Sequence, residues 1–434
     1  MNAAILPSAI MTSSRTEYFI VDPCGIQRGK WAPGKTPEEL LQSKVAFPLS
    51  LTGLDVWGRE VPETGLHIES GDRDGACSVF PGSVRPMPWL EGNVQQAMLE
   101  MHTTEGQPFF GDTRNSLKKA MRRLDGLGVS ATVAVELEFY LIDPNQRQGA
   151  GTVELLNTYD LAAMNARRPI FDEIRRCADI QDIPADTIIS EASEGQFEVN
   201  LLHRDDALAA ADDAICLKRI ISGAAAKHGL AATFMAKPFA GRPGNGLHAH
   251  TSFVTADGRN YFGETEAGAQ KLEHAVGGLL ATMQEGMLIF ANSWNGFRRF
   301  EPGSYAPNRL NWGENNRSVA VRIPASGARA RRFEHRISGA DANPYLVLAL
   351  ILHGAAHGIE AQIAPPEQST GNAYDGEAPV LDSRMASAID RFAGSDWIGE
   401  ALGTDLQALI SAVKCQERAV FESHISGFET DTYR

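Results

Sequence analysis

Two glutamates interrupt a segment that otherwise has the pattern of a buried β-strand. The segment ATVAVELEFYLID carries Glu136 and Glu138, and because side chains alternate along a strand, both carboxylates point to the same face. Neighbouring like charges on a half-buried face repel each other and lose hydration unless a cation or a basic group lies between them. The pair indicates a site for a hard divalent cation, although a Glu-x-Glu pair alone also occurs on solvated sheet faces.

A second predicted strand repeats this kind of pattern. In GNGLHAHTSF, the side chains of His248, His250 and Ser252 alternate onto one face. A His-x-His pair alone fits ordinary packing as well as metal ligation. The two strands together would form a metal site only if the fold brings them side by side.

Two further glutamates, Glu191 and Glu198, are seven residues apart in SEASEGQFEVN. On one continuous strand this odd spacing would put them on opposite faces, but a turn at residues 193–195 would let them converge, and Gly195 suits such a turn. Oxygen-rich ligands without a thiolate favour Mg²⁺ or Mn²⁺, and six protein ligands exceed what one Mg²⁺ takes, which predicts two or more ions. The candidate ligands are Glu136, Glu138, Glu191, Glu198, His248 and Glu334.

The segment FRRFEPGSYAPNRLNWGENNRSVAVRIPASGARARRFEHR is rich in arginine, the residue suited to a bidentate grip on phosphate or carboxylate. Here Arg332, Glu334 and Arg336 alternate along a predicted strand, which would place a carboxylate between two guanidinium groups. A basic surface or nucleic-acid patch is the alternative, but a net charge of −14 disfavours general nucleic-acid binding. The arginines are Arg298, Arg299, Arg309, Arg317, Arg322, Arg329, Arg331, Arg332 and Arg336.

A chain of 434 residues predicts two domains of unequal size. Residues 1–111 contain short strand-like runs separated by Gly- and Pro-rich turns. Asp112 is a candidate N-cap for an amphipathic helix with Leu117 and Leu124 on its apolar stripe, so the boundary is placed there. Beyond it, strands with polar clusters alternate with long helices. The predicted helices cover residues 204–229, 268–290, 344–363, 383–393 and 405–424.

The cysteines and the apolar segments indicate a cellular setting. Five scattered cysteines without CxxC spacing predict reduced, buried thiols in a reducing compartment. The N-terminus lacks a basic stretch ahead of its short apolar part, so it does not have the pattern of a signal peptide. The longest apolar segment, residues 346–352, is far shorter than a membrane span. These features predict a cytoplasmic protein without a membrane or nucleic-acid partner.

Six motifs in the chain resemble the glutamine synthetase family, in the order of that family and over nearly the whole chain. The resemblance implies an α+β fold with a small N-terminal β-grasp domain, residues 1–111, and a large catalytic domain, residues 112–434, with an antiparallel sheet and flanking helices. It also implies a homo-oligomer, commonly a dodecamer of two stacked hexameric rings, with active sites between subunits. The motifs are VELEFYLID, EGQFEVN, FMAKPFAGRPGNGLHAHTSF, NRSVAVRIP, RRFEHR and ADANPYL.

The resemblance also implies roles for individual residues. Glu138, Glu191 and Glu198 would hold one metal ion near the acceptor side, and Glu136, His248 and Glu334 would hold the ion that bridges the ATP phosphates. The loop at Gly244, with Arg299 and Arg336, would bind glutamate. His250, Ser252, Arg322 and Arg332 would contact the nucleotide, and Arg317 would stabilise the transferring phosphoryl group. Glu198, Arg299 and Arg317 are the candidate catalytic residues.

The implied chemistry is ATP-dependent amide formation with Mg²⁺ or Mn²⁺ as cofactor. A carboxylate is a poor acylating agent, so the γ-carboxylate of L-glutamate first attacks ATP to give an acyl phosphate, which an amine then displaces. Water must be excluded because the acyl phosphate would otherwise hydrolyse.

Two departures from the family pattern concern the acceptor. Glutamine synthetases carry a Glu in the flap motif R-x-x-P-G-x-E-A-P, where it helps to bind and deprotonate ammonium, and Tyr305 stands at that position here. The Asp-Gly-Ser-Ser signature is also missing, the nearest stretch being residues 47–55. A neutral phenol holds a small cation weakly. The chain therefore resembles the γ-glutamylpolyamine synthetase branch, which predicts a larger amine such as putrescine or spermidine, bound partly by Tyr305.

Several alternatives stay open. The chain would be a glutamine synthetase with a rebuilt ammonium pocket, a non-catalytic scaffold or nitrogen sensor, or a kinase for a guanidino substrate. Glu301 would compensate for the missing flap glutamate if it reached the pocket, and Trp57 or Trp312 would line an entrance for an alkylamine. Tyr374, in the sequence NAYDGEAP, is interpreted as an ordinary loop residue.

Overall fold

The protein is described by a computed structural model that covers residues 14–144, 158–263 and 265–434. Its N-terminal part is a five-stranded mixed sheet in the order β2-β1-β5-β4-β3. Two of its inner strands, β1 and β5, pair in parallel, and the other neighbours pair antiparallel. The elements are β1 (Arg15–Val21), β2 (Gln27–Pro33), α1 (Pro37–Leu41), β3 (Lys44–Pro48), β4 (Asp74–Pro86) and β5 (Val94–His102).

Strand alternation in β1 fixes how this sheet packs. Tyr18 and Ile20 point into a small core of the N-terminal part, together with Leu99. Phe19 and Val21 point to the other face and join the main hydrophobic core of the chain. Because side chains alternate across a strand, one sheet closes its own core and also seals against the larger part of the protein.

The larger part is built on an eight-stranded sheet with the order β11-β12-β13-β10-β6-β8-β7, and β9 pairs with β6 beside this path. It is antiparallel as expected, except that β11 and β12 pair in parallel. Its strands are β6 (Val129–Ile142), β7 (Ala185–Ser190), β8 (Gln196–Leu201), β9 (Ala231–Thr233), β10 (Leu247–Thr255), β11 (Trp312–Glu314), β12 (Val321–Ile323) and β13 (Phe333–His335).

Helices cover this sheet, and one prediction about them is wrong. Residues 268–290 form two helices instead of one, because the chain turns at Gly286, where any β-carbon would lie 2.7 Å from the ring of Phe290. The helices are α2 (Thr113–Gly126), α3 (Leu161–Ala166), α4 (Arg168–Ile180), α5 (Ala207–Lys227), α6 (Glu266–Met283), α7 (Met287–Phe290), α8 (Pro344–Ala361), α9 (Met385–Ala393), α10 (Asp396–Leu402), α11 (Thr404–Ser423) and α12 (Gly427–Thr432).

Helix α8 is the central helix of the main core. The side chain of Asn343 caps its start by accepting hydrogen bonds from the N–H groups of Tyr345 and Leu346. It packs closely on α6, since a β-carbon on Gly358 would lie 2.0 Å from the carbonyl oxygen of His274. In the described part of the chain, α8 alone has the length and composition of a membrane span, but 78% of it is buried inside the fold.

A buried ionic cluster joins the N-terminal part to α11. Four of the five cysteines are buried as predicted, whereas Cys415 is exposed, because it lies on the solvent side of α11. Cys24, in the turn between β1 and β2, lies 3.3 Å from the Lys414 Nζ atom, and Lys414 lies 2.8 Å from a carboxylate oxygen of Glu417. The other oxygen of Glu417 accepts a hydrogen bond from the Val56 N–H at 3.1 Å.

This cluster makes Glu417 a strong determinant of stability. Replacing Glu417 by alanine would remove the carboxylate that is hydrogen-bonded to the buried Lys414 ammonium, so we expect the free energy of unfolding to fall by about 3–5 kcal/mol. The double variant Lys414→Met/Glu417→Leu should recover most of this loss. Glu422→Ala, which removes a half-exposed partner of Arg418, should have an effect below about 1 kcal/mol. If thermal unfolding showed the same small loss of stability for Glu417→Ala as for Glu422→Ala, the stabilising role of Glu417 would be contradicted.

Candidate functional site

The register of the central strands places the predicted ligands next to one another. His248 on β10 is paired directly with Glu136 on β6. On the other side of β6, Glu138 is paired directly with Glu198 on β8. Directly paired residues on one face of a sheet have β-carbons about 5 Å apart. The two glutamates of β6 therefore lie between His248 on one neighbouring strand and Glu198 on the other, and both of these residue types can bind a metal ion.

The same row of functional groups continues across the sheet. His250 on β10 is paired with Glu334 on β13, and Glu334 is paired with Arg322 on β12. A carboxylate oxygen of Glu334 lies 2.9 Å from Arg322 Nη1, and the other oxygen accepts a hydrogen bond from Arg336. The charge of Arg336 and the two histidines outweighs burial and lowers the pKa of Glu334 to about 2.

A turn brings Glu191 to the same face, as the sequence predicted. Glu191 follows β7, its N–H donates to the carbonyl of Gln196 at 2.9 Å, and Gly195 in the turn has a φ of +79°. That left-handed conformation is one that glycine adopts without steric cost. The reversal lets two glutamates with an odd spacing line one cavity.

The ligand atoms form two compact groups. One contains Glu136, His248 and Glu334, and the other contains Glu138, Glu198 and His248; within each group the atoms lie within 4.8 Å of one another. The first group is the set implied by the resemblance for one ion. In the second, His248 stands where Glu191 was expected, and Glu191 lines the cavity beside this group.

Electrostatics in the cluster favours a bound cation. Burial and the charges of neighbouring glutamates raise the pKa of Glu198 well above its ordinary value, and the same causes raise that of Glu191 to about 7. By contrast, hydrogen bonds with His248 and His250 outweigh burial and hold the pKa of Glu136 well below its usual range. Mg²⁺ or Mn²⁺ suits this oxygen-rich donor set and would relieve the repulsion.

The cluster forms one wall of a cavity of about 450 Å³. Arginine side chains also line the cavity. It therefore combines carboxylate and imidazole ligands for cations with guanidinium donors for anions. The residues of the predicted site that line it are Glu136, Glu138, Glu191, Glu198, Gly244, His248, Arg299, Tyr305, Arg317, Arg322 and Arg336.

Three predicted nucleotide contacts do not line this cavity. His250 is buried behind it, with Nε2 lying 2.8 Å from Glu136. Ser252 donates to the carbonyl of Arg331, and Arg332 donates to His250 Nδ1 at 3.2 Å. The prediction that Arg332 and Arg336 flank Glu334 is wrong for Arg332, because the register brings Arg322 of the neighbouring strand to that side.

Arg299 and Gly244 form the anion-binding wall. Arg299 is buried and donates from Nη1 to the carbonyl of Ile337 at 2.8 Å. Its Nε has no hydrogen-bond partner among the described residues, and the same holds for the Nε of Arg322 and Arg336. A β-carbon at Gly244 would lie 2.8 Å from the Arg299 side chain, so glycine is needed for the loop to approach it. Unpaired buried donors of this kind suit an anionic ligand.

The flap segment, residues 299–307, presents Tyr305 rather than an acid. Tyr305 has a φ of +59°, and the residue is 65% exposed. Glu301 does not compensate for the missing glutamate, because it pairs with Lys237 Nζ at 3.0 Å. Tyr374 is more than a loop residue, since its hydroxyl donates to the carbonyl of Ala306 at 3.2 Å and thereby holds the flap.

The two tryptophans suggested for an amine entrance lie elsewhere. Trp312 is buried and donates from Nε1 to the carbonyl of Pro366 at 2.7 Å. Trp57 packs on Phe421 with ring centroids 5.3 Å apart. Neither side chain belongs to the described lining of the cavity.

Sequence reasoning missed two residues of the site. Gln196 donates from its side chain to the carbonyl of Gly244 at 3.0 Å and so supports the anion-binding loop. Its position two residues before Glu198 on one strand was a usable signal. Tyr159 also lines the cavity, but it has a φ of +57° in a turn, and no periodicity indicates such a position.

Comparisons with known proteins agree with this geometry. A family model described as glutamine synthetase, catalytic domain, matches residues 110–433. The chain is 35% identical over 428 residues to gamma-glutamylputrescine synthetase PuuA of Escherichia coli strain K12, covering 96% of this chain and 90% of that protein. It is 32% identical over 391 residues to a glutamate–isopropylamine ligase of a Pseudomonas species, covering 86% and 84%.

A solved structure has the same fold. The complex of GmaS with ADP superposes with a TM-score of 0.86 at 28% identity, covering 97% of each chain. The chain described here belongs to the glutamine synthetase family. Within that family it is an ATP-dependent carbon–nitrogen ligase.

Proposed function

We propose that this enzyme joins the γ-carboxylate of L-glutamate to a primary alkylamine, with ATP converted to ADP and phosphate through a γ-glutamyl phosphate. One observation carries the proposal: four glutamates, His248 and four arginines line a single cavity whose flap presents a tyrosine, and Glu334 lies within ligand distance of Glu136 and His248. The relatives named for ligation of putrescine and isopropylamine support it.

We assign the metal ligands in two sets. Glu136, His248 and Glu334 would hold one divalent ion. Because a neutral imidazole has only one nitrogen with a free lone pair, His248 serves one ion only. We therefore assign Glu191, which lines the same cavity, to complete the second set with Glu138 and Glu198. Divalent ions bound there would neutralise charge on the transferring phosphoryl group.

The arginines would divide between the substrates. We assign Arg299, Arg336 and the Gly244 loop to the carboxylates of glutamate, because both arginines are buried with unpaired Nε atoms and line the same cavity as Gly244, which Arg299 also contacts. Arg322 would grip the nucleotide phosphates. Arg317 lines the cavity, and its charge acts to lower the pKa of Glu191, so it is close enough to the metal cluster to stabilise the phosphoryl group in transfer.

We assign His250, Ser252 and Arg332 supporting roles in nucleotide binding, since they lie behind the cavity wall. We also propose that the five-stranded N-terminal sheet is a β-grasp domain, with the boundary at residues 111 and 112. Sites shared between subunits of a homo-oligomeric ring and a cytoplasmic location remain proposals that follow from family membership.

Direct assay tests the function. Purified enzyme is incubated with glutamate, ATP, Mg²⁺ and an amine panel of ammonium, isopropylamine, ethanolamine, putrescine and spermidine, and phosphate release and amide mass are measured. We expect a γ-glutamyl amide with at least one alkylamine. Equal or better turnover with ammonium than with every amine would instead assign a glutamine synthetase, and absence of ATP turnover with every acceptor would assign a non-catalytic relative.

Tyr305→Glu should shift the acceptor preference toward ammonium. A carboxylate at this flap position attracts a small cation that the neutral phenol holds weakly. We expect the ratio of kcat/KM for ammonium to that for the best alkylamine to rise by at least about tenfold, equivalent to about 1.4 kcal/mol. Tyr305→Gln is the uncharged control and should leave ammonium use low. A rise of equal size in both variants would contradict the electrostatic explanation.

A further inference from the structure

An ion pair outside the cavity lining joins two segments of the site. The Gly244 loop, residues 236–245, lies between β9 and β10. Lys237 Nζ in this loop lies 3.0 Å from a carboxylate oxygen of Glu301 in the flap. The same Nζ atom donates to the carbonyl of Arg242 at 2.7 Å, across the loop. One ammonium group therefore links both limbs of the Gly244 loop to the flap.

Lys237 is the fixed and buried partner of this pair. Its backbone N–H donates to the side chain of Asn295 at 2.7 Å, and the Asn295 amide donates back to the Lys237 carbonyl at 2.9 Å. The other limb of the loop is held where the Asn245 N–H donates to the carbonyl of Ala236 at 2.8 Å. The Lys237 side chain is 6% exposed. A buried ammonium group has lost its hydration, so a carboxylate beside it is favourable.

Glu301 lies on the solvent side of the pair. Its side chain is 59% exposed. Local hydrogen bonds shape the flap around it, because the Glu301 N–H and the Ser304 hydroxyl both donate to the carbonyl of Arg299, at 2.8 and 2.9 Å. The ion pair forms only while the flap lies on the Gly244 loop. Its free energy therefore favours that position of the flap.

The loop and the flap both border the cavity in which the acyl phosphate would form. Gly244, Arg299 and Tyr305 line it. Water and an amine compete there for the same carbonyl carbon. Attack by the amine breaks the bond to the phosphate oxygen and gives the amide and phosphate. Attack by water breaks the same bond and returns glutamate and phosphate, so that ATP is hydrolysed without amide formation. A flap held on the loop limits this second route.

We propose that Lys237 and Glu301 are positioning residues whose ion pair holds the flap on the Gly244 loop and thereby lowers the share of acyl phosphate lost to water. The inference rests on the proposed function and adds a determinant of its efficiency. Both side chains are outside the described lining of the cavity. Their effect is therefore on the access of water, and the substrate contacts stay as they are.

The test measures how ATP consumption divides between the two routes. ADP and amide are quantified at saturating ATP, glutamate and Mg²⁺, first without an acceptor and then with the alkylamine that gives the highest turnover in the panel above. Glu301→Gln removes the charge at nearly constant shape, whereas Glu301→Asp keeps the charge. Glu377→Gln, at an exposed position of a nearby loop, is the matched control.

In Glu301→Gln we expect glutamate-dependent ADP formation without an acceptor to rise about fivefold, the order of change that loss of one partly exposed ion pair causes in an equilibrium. The amount of ADP formed per amide should rise as well, at an unchanged KM for ATP. Glu301→Asp should lie nearer to the wild type, and Glu377→Gln should match it. In a Lys237→Met background, which has already lost the pair, Glu301→Gln should add little.

An unchanged ratio of ADP to amide in Glu301→Gln would overturn the proposal, as would an equal rise in Glu377→Gln. A parallel fall of ADP and amide formation would also overturn it, because Glu301 would then support the chemistry and not the exclusion of water. The single Glu301 variants decide this even if Lys237→Met does not fold. Failure of the proposed function is distinguishable, because the wild-type enzyme would then form no amide with any alkylamine.

Discussion

Replacing Glu198 by glutamine is expected to lower kcat/KM by more than about 100-fold with every acceptor. Loss of a residue that only supports a metal ligand typically costs about 10–100-fold, and Glu198 is a ligand candidate that is itself buried. The glutamine keeps the shape but removes the charge that the divalent ion requires. Initial rates of phosphate release at saturating Mn²⁺ or Mg²⁺ measure the effect.

The same variant has a second readout that does not depend on turnover. Burial and the neighbouring glutamates disfavour the ionised form of Glu198 and raise its pKa, so the metal-free protein should become more stable when the uncharged glutamine replaces it. Stabilisation by added Mn²⁺ should shrink, because a ligand stabilises only the folded state that binds it. Glu194→Gln, in the exposed turn between Glu191 and Glu198, is the matched control and should retain both activity and the Mn²⁺ response. Wild-type Mn²⁺ stabilisation in Glu198→Gln would refute the ligand assignment.

Arg317→Ala is expected to lower kcat by about 10³-fold and to change the KM for the amine little. An arginine that meets the transferring phosphoryl group stabilises the transition state, and its removal from other phosphoryl-transfer sites costs about 10³–10⁵-fold. An interaction formed only in the transition state appears in kcat rather than in substrate binding. Single-turnover formation of ADP measures the phosphoryl-transfer step directly.

Two variants sharpen this prediction. Arg329→Ala removes an exposed arginine from the same Arg-rich segment and should leave kcat near the wild-type value. Arg317→Lys keeps the charge but loses the planar, bidentate group, so it should recover only part of the activity. If both alanine variants lose activity equally, the segment acts through general positive charge and Arg317 has no specific role.

The ligand cluster was predictable because strand alternation and residue type carry it. The spacing of two residues, between Glu136 and Glu138 and between His248 and His250, predicts that each pair shares one face of a strand. This prediction needs no knowledge of the fold. The turn at Gly195 was also predictable, since glycine readily adopts the left-handed conformation that such a turn requires. Which strands flank β6, and in which register, could not be predicted, because pairing joins segments that are far apart in the sequence.

The predictions that were wrong or missing share one physical cause. Arg332 was expected beside Glu334 from their spacing along one strand, but Arg322 of the next strand takes that place. The end of α6 depends on Gly286 lying against Phe290, a contact between turns that periodicity does not report. Tyr159 stands in a turn after a segment without helical or strand pattern. In each case the deciding contact is between residues whose proximity is set by tertiary packing.

The contact between Cys24 and Lys414 joins positions 390 residues apart. At least the residues between these two positions must therefore be synthesised before the turn that carries Cys24 can meet Lys414. Before α11 docks, the site that receives Lys414 stays open. A chain that lacked α11 would therefore expose this interface to chaperones or proteases. Docking of α11 is thus required before the interface between the N-terminal sheet and the rest of the fold is complete.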